Sequence, residues 1–284
     1  AQLELTGGRQ AVNLDNQRWI GSVGWRQNDQ TLDAVRVTAR PGKGSSVDYL
    51  YAWRVNRVFG PDSPQGIWRD TEIHAVRAAY TIKNVGALSA YGYWLDIPSQ
   101  PSSSSRILGV RMAGEHPVGG KSTFLYAAEY ARQHDHGANP RSFGLDYWLI
   151  EPGVKTGPLT FKAGYERLEG NGTVGLQTPL ATLHAFNGWA DKFLTTPANG
   201  LRDAYLDASY KVPGMGALAG LTLRAAWHDY GSTVGGIAYG REWNALASYP
   251  LDKRFTLTAK LARYEADGFA TDTTKLWFQV EAKF

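Results

Sequence analysis

The chain has 284 residues, 43% of them hydrophobic and 12% aromatic, with 30 basic against 26 acidic residues and no cysteine. The missing thiols exclude disulfides and thiolate metal sites, and a formal net charge of +4 gives no mandate for nucleic acid. No apolar run reaches the about 18 residues of a transmembrane helix, which leaves open a barrel, whose strands hide their apolarity in alternation.

In chain order, Ala1-Gln2-Leu3 has neither the basic nor the apolar region of a secretory signal, so a leader was removed or the chain is trimmed. Residues 3–12 look extended. At 17–27, Trp19, Val23 and Trp25 share one face and Arg18, Ser22 and Arg26 the other. At 32–40, Val35 and Val37 oppose Arg36 and Thr38. The clearest stretch is 47–58, where Val47, Tyr49, Tyr51, Trp53 and Val55 alternate with Asp48, Leu50, Ala52, Arg54 and Asn56. The same beat predicts strands at 74–82, 87–96, 106–115, 123–133, 143–151, 159–168, 201–212, 221–230, 242–251 and 255–264. The last, 275–284, sets Leu276, Phe278, Val280, Ala282 and Phe284 against Lys275, Trp277, Gln279, Glu281 and Lys283.

The expectation is an all-β chain folded as one transmembrane antiparallel barrel of about 14 strands, within a range of about 14–16. Adding residues 3–12 makes an odd count and lays the first and last strands parallel, so that segment is expected outside the wall unless amino-terminal strands are missing. Short Gly-, Pro- and Asp-bearing links at 83–86, 116–121, 152–157 and 252–254 alternate with longer ones at 57–71, 97–105 and 231–241. In barrels the short rim is periplasmic. The longest break is 169–200. Within it 179–194 predicts a short helix, capped by Thr178 with Pro179 at its first position. Folded inward, this loop forms a constriction from His184, Phe186, Asn187, Trp189, Asp191 and Lys192; the alternative is a cap on the outer rim.

Alternation assigns the lumen once the aromatic-aliphatic face is set against lipid, where an Arg or Lys at the midplane costs ~2 to 4 kcal/mol. The expected inward bases are Arg18, Arg26, Arg36, Arg54, Arg77, Arg111, Lys162, Lys211, Arg224, Lys260 and Lys275. The expected inward acids are Asp48, Asp96, Glu115, Glu129, Asp146, Glu166, Asp203, Asp207, Glu242 and Glu281. Arginines dominate from 18 to 111 and acids from 115 to 207, which predicts a basic wall facing an acidic wall. Trp19, Trp25, Tyr49, Trp53, Tyr80, Tyr91, Tyr93, Trp227, Trp243 and Tyr249 are expected in lipid girdles. Trp94, Trp148 and Trp277 are expected inside, as sugar-stacking or loop-packing rings.

A closing strand that ends on Phe284 resembles the assembly signal of bacterial outer-membrane barrels. The segments Gly8-Arg9-Gln10, Asn13-Leu14-Asp15-Asn16-Gln17-Arg18, Val23-Gly24-Trp25-Arg26-Gln27-Asn28 and Asp33-Ala34-Val35-Arg36 resemble the alginate-export outer-membrane porin family. So does Leu183-His184-Ala185-Phe186-Asn187-Gly188-Trp189-Ala190-Asp191-Lys192-Phe193, running on to Gly200-Leu201-Arg202-Asp203. The resemblance covers the whole chain. It implies a monomeric barrel in outer-membrane lipid, without cofactor, for export or diffusion of a hydrophilic solute such as an anionic sugar or organic acid. Family members are usually longer at the amino end, which favours trimming.

The reading is thus a passive channel and not an enzyme. A barrel enzyme acting on lipid or polysaccharide and a soluble β-rich sugar-binding protein are the alternatives. His134-Asp135-His136 has ligand-like spacing but sits in a Gly-Asn-Pro loop, and no metal site is expected. His228 and Asp229 fall on opposite strand faces, with no serine motif to complete a triad. Nothing fixes the separation of Glu166 and Glu169 as a glycosidase pair needs.

Overall fold

In the computed structural model, which describes residues 2–283, the alternation becomes one antiparallel sheet. Its strands are β1 (Gln2–Gln10), β2 (Thr31–Arg40), β3 (Ser45–Asn56), β4 (Ile67–Trp68), β5 (Glu72–Ile82), β6 (Gly86–Asp96), β7 (Ser105–Gly119) and β8 (Ser122–Asp135). They continue as β9 (Gly144–Thr156), β10 (Leu159–Leu168), β11 (Leu201–Lys211), β12 (Thr222–Gly231), β13 (Ala238–Pro250), β14 (Phe255–Ala266) and β15 (Thr273–Ala282). Each pairs with its neighbour in sequence, except that β3 pairs β5 directly and the two-residue β4 hangs on β3. Among the described residues no ladder joins β1 to β15. No helix there is long and apolar enough to cross a membrane. The aromatic closing position expected at Phe284 lies outside the described residues.

One face of the sheet carries the apolar side chains outward: Leu276 is 64% exposed, Phe278 83% and Ile150 59%. Tyr49, Trp53, Tyr80 and Trp243 are exposed on the same face. The other face is covered by two loops, 11–30 and 169–200. Residues of β5, β8, β10, β11, β13, β14 and β15 all bond to them, which is the geometry of a sheet curled into a barrel around its own loops.

The fourteen strands of the continuous path are not the fourteen read from the sequence. Residues 17–27 are no strand but part of a loop inside the barrel, where Asp15, Gln17 and Val23 take positive φ and break any extended run. Residues 2–10 are a strand instead, paired with β2 from Gln2↔Arg40 to Gln10↔Leu32. The path is again even, so its first and last strands run in opposite directions. The helix expected at 179–194 is reduced to one 3-10 turn, Leu183–Ala185. Its amides are drawn to tertiary acceptors: Thr182 donates to the Gln17 carbonyl at 3.0 Å, Trp189 to Asn244 at 3.3 Å and Ala190 to Glu242 at 2.8 Å. Asn187, Gly188 and Asp191 have positive φ, which no helix holds in succession.

Three strands carry a phase opposite to the one expected, in whole or in part. In β6, Tyr91 and Tyr93 are buried on the loop-covered face, and Trp94 and Asp96 alternate to the other side. In β9, Tyr147 is 0% exposed inside while Trp148, at 44%, faces outward with Asp146. Runs with aromatics at adjacent positions fit either phase, and the loops need ring surface beneath them. In β3, Asp33 pairs with Arg54 but Ala34 with Ala52, leaving Trp53 as the extra residue of a bulge. Beyond it Val55 turns inward at 0% exposure and Arg54 turns outward, 3.7 Å from Asp33.

Candidate functional site

The site is built where the two loops meet the wall. They join through a parallel bridge, Ile20↔Leu180, with Gly21 donating to the Leu180 carbonyl at 2.9 Å. Gln30 Nε2 donates to the carbonyls of Gly21 and Leu180, and Thr182 Oγ1 donates to Gln17 at 2.7 Å. Val12, Leu14, Trp19, Ile20, Leu180, Trp189 and Phe193 are buried between loops and wall, so the barrel has an apolar packed interior on this side. At Gly188 any Cβ would collide with the Tyr230 hydroxyl and the Glu242 carboxylate, and only glycine lets the loop backbone approach so closely.

Three charged clusters follow. Arg18, 1% exposed, has Nε 3.0 Å from Glu166 Oε1, although only its Nη2 is aligned for a hydrogen bond, at 3.2 Å to Oε2. Asn187 accepts from Arg18 at 2.9 Å and donates to Glu166 at 2.6 Å and Asp203 at 3.0 Å. Asp203 also meets His228 at 3.0 Å. Glu129 accepts from Tyr91 at 2.5 Å, Trp19 at 2.7 Å and Arg111 at 2.7 Å. Arg77 donates a fork to loop residue Asp15, at 2.9 and 2.6 Å, and lies 3.6 Å from Asp48, which also accepts from Arg36 at 2.7 Å.

On the opposite side Lys260 stands among rings, 3.9 Å from the Trp189 centroid, 4.1 Å from Trp25 and 5.5 Å from Trp277. Its Nζ is 2.6 Å from His184 Nε2, and His184 Nδ1 is 2.6 Å from Asp191, which accepts from Lys275 at 3.2 Å. Burial holds the His184 imidazole below its ordinary range despite the adjacent carboxylate. Burial opposes ionisation of Asp191 as well, but its bonds to His184 and Lys275 prevail and keep its carboxyl below the ordinary value. A neutral imidazole with its proton on Nδ1 suits both contacts, donating to Asp191 and accepting from the ammonium.

Below the loop tip an internal cavity of about 600 Å³ opens between β7 and β12. Phe186, Asn187 and Trp189 roof it; Arg111, Lys162 and Arg224 supply its bases. Lys162 lies 2.9 Å from Glu151, which also accepts from Tyr205 at 2.6 Å, and Arg224 lies 2.6 Å from Asp207 with its guanidinium 5.4 Å from the Trp189 ring. This arrangement can strip water from a small solute and offer it cationic forks, rings and hydroxyls together.

Of the residues singled out in the sequence, Arg36, Arg77, Arg111, Glu129, Lys162, Asp203, Asp207, Arg224 and Lys260 lie on the loop-covered face with these partners. Arg18 and Arg26 belong to the 11–30 loop, the first buried and the second exposed. Arg54 and Asp146 lie on the outer face, the former beside Asp33 and the latter 3.0 Å from Arg132. Loop residues His184, Asn187 and Trp189 are buried; Phe186 lies 4.7 Å from the Arg18 guanidinium and Lys192 Nζ 5.4 Å from the Tyr264 ring.

A basic wall facing an acidic wall does not form. The loop carries Arg18 to the acids and Asp15 to the arginines, and the wall bases Arg36, Arg77, Arg111, Lys162 and Arg224 each have a carboxylate within 3 Å. Trp19 and Trp25 are no girdle: one donates to Glu129 and the other stacks on His184 at 5.3 Å. Sequence reasoning missed Asp15, Tyr147, Glu151 and Tyr205. A signal for such inner tyrosines exists in the register, since Gly109 faces Tyr91 and Gly164 faces Tyr205, each leaving room for the ring that lies over it.

No family model and no curated protein matches this chain in sequence. In fold it is similar to the outer membrane protein OpdK of Pseudomonas aeruginosa, with TM-score 0.78 and 14% identity over 99% of this chain and 77% of that one. A second structure of OpdK, solved with vanillate, gives 0.77 and 15% over 99% and 76%. OccAB4 of Acinetobacter baumannii gives 0.77 and 13% over 99% and 72%. The fold is that of a bacterial outer-membrane barrel.

Proposed function

We propose that this chain is a passive channel of the bacterial outer membrane that admits small organic anions, with its selectivity set at the internal cavity beneath residues 186–189. The observation that carries the reading is the composition of that cavity: Arg111, Lys162 and Arg224 converge with Tyr205, Phe186 and Trp189 in a space of about 600 Å³. Guanidinium forks exchange well for the water around a carboxylate. The acids of the same lining, Glu151, Glu166, Asp203 and Asp207, keep the attraction weak enough for the solute to leave, as conduction requires. The outward apolar band faces acyl tails. OpdK, similar in fold, has been solved with vanillate, an aromatic carboxylate.

A polysaccharide conduit, which the sequence resemblance implies, is the weaker reading, because the loops fill much of the interior with packed apolar side chains. The residues in the cavity serve binding and passage, and no chemical step is assigned to them. The test is planar-bilayer recording of the purified chain. Current should be blocked in a saturable way by vanillate or benzoate and unaffected by benzyl alcohol. Block by uronate oligomers with no response to the small acids would overturn the reading in favour of polysaccharide.

A further inference from the structure

A second pocket, of about 340 Å³, lies at the long-loop rim between the 57–71 loop, the turn at Pro101–Ser103 and residues 177–195 of the lumenal loop. Its charge pattern is unlike that of the internal cavity. Its one charged lining residue is Arg57, and no aspartate or glutamate contributes to its walls. The Arg57 guanidinium lies over the Trp68 ring at 4.3 Å and over the Phe59 ring at 5.0 Å. Its Nε is buried without a hydrogen-bond partner among the described residues. Burial lowers its pKa below the ordinary arginine value, and no carboxylate counters this. The backbone holds it in place, with Arg57 N–H donating to the Gly66 carbonyl at 2.8 Å.

A guanidinium used only as a packing plate keeps its edge in water or pairs it with a carboxylate. Here two rings lie close to the guanidinium, its Nε is desolvated without a partner and no acid lines the pocket. Gln65, Gln100, Gln177 and Thr178 bring neutral polar groups to the same space, while Pro179, Leu183 and Leu194 supply apolar surface. We infer that this pocket is a docking site for one small carboxylate, held by the Arg57 fork with its apolar body against the Trp68 and Leu194 side, at the mouth that precedes the internal cavity. The volume falls at the low end of the range for small-molecule sites. The inference rests on the channel reading only in supposing that organic anions are what reaches this rim.

The experiment uses the whole chain in detergent, titrated with benzoate and with the neutral isostere benzamide, following tryptophan fluorescence. The signal of Trp68 is taken as the difference between the wild type and Trp68→Phe. Benzoate should give a saturable Trp68 change and benzamide none. Arg57→Gln should weaken it at least tenfold, and Arg57→Lys, which keeps the charge and loses the fork, should fall between. Lys162→Gln with Arg224→Gln, confined to the internal cavity, should leave the Trp68 response in place. Circular dichroism checks that each variant keeps its strands. Equal response to benzamide, or unchanged affinity in Arg57→Gln, would overturn the site. Bilayer conductance is read independently: a carboxylate-sensitive Trp68 in a chain that does not conduct keeps the site and removes the pore. A conducting chain with a flat titration does the reverse.

Discussion

Arg18 shows how a single residue can be read correctly for polarity and wrongly for place. It was expected on a wall strand, and it is instead the cation that a loop carries across the lumen to Glu166, with Asn187 and Asp203 completing the network. Removing one partner of such a buried pair leaves an uncompensated charge, a loss of about 3–5 kcal/mol, whereas replacing both is near neutral. We therefore expect Arg18→Met to lower stability by about that amount, and Arg18→Met with Glu166→Gln to recover most of it. Urea unfolding in lipid vesicles is the check; equal losses in the single and double variants would contradict it. A second residue-scale expectation concerns acid. His184 has its folded pKa below the unfolded value of 6.5, and Asp191 lies below 3.8, so both contribute stability that is present above those unfolded values and lost as pH falls. Protonated His184 would also set an N–H against the Lys260 ammonium. The lumenal loop should thus loosen as pH drops below about 6.5, seen as faster protease cleavage within 179–194. His184→Gln should flatten that upper step, and an unchanged pH profile in this variant would refute the assignment.

At the scale of elements, the wall was legible and the loops were not. Strands from β7 to β15 fall within a few residues of their expected limits because alternation is local and survives any packing. The 11–30 and 169–200 segments take their conformation from each other, through Ile20↔Leu180 and the Gln30 and Thr182 bonds, between residues about 150 positions apart. No local pattern encodes that meeting. The same coupling explains the reversed phase of β6 and β9: rings were needed under the loops, so aromatic side chains lie on both faces. The loop is fastened by Trp25, Trp189 and Trp277 around Lys260, a desolvated cation–π cluster worth roughly 2 kcal/mol or more. Replacing 180–193 with a short Gly-Ser linker should raise single-channel conductance several-fold. Trp277→Ala should leave the mean conductance near the native value while adding gating noise. Conductance unchanged by the linker would show that the loop does not set the aperture.

For the molecule as a whole, charge balance replaces the expected transverse field. Opposite charges interleave within 3 Å, so the inner face presents ion pairs to any solute that reaches it. Lys162→Glu with Arg224→Glu should shift the reversal potential under a salt gradient towards cations, and by less at high ionic strength. Arg54→Glu, on the outer face beside Asp33, should not shift it. A shift in the second variant without one in the first would place the selectivity elsewhere.

The sequence by itself determined the all-β class and the outward apolar band, because a strand in a two-solvent environment must separate its faces every two residues. Only the tertiary structure decided that Gln2–Gln10 is wall and 17–27 is plug, that Arg54 leaves the lumen at a bulge, and that the inward arginines Arg36, Arg77, Arg111 and Arg224 each find an acid. Those outcomes turn on contacts between segments far apart in the chain, and a two-residue period carries no information about which loop will fill the space that the strands enclose.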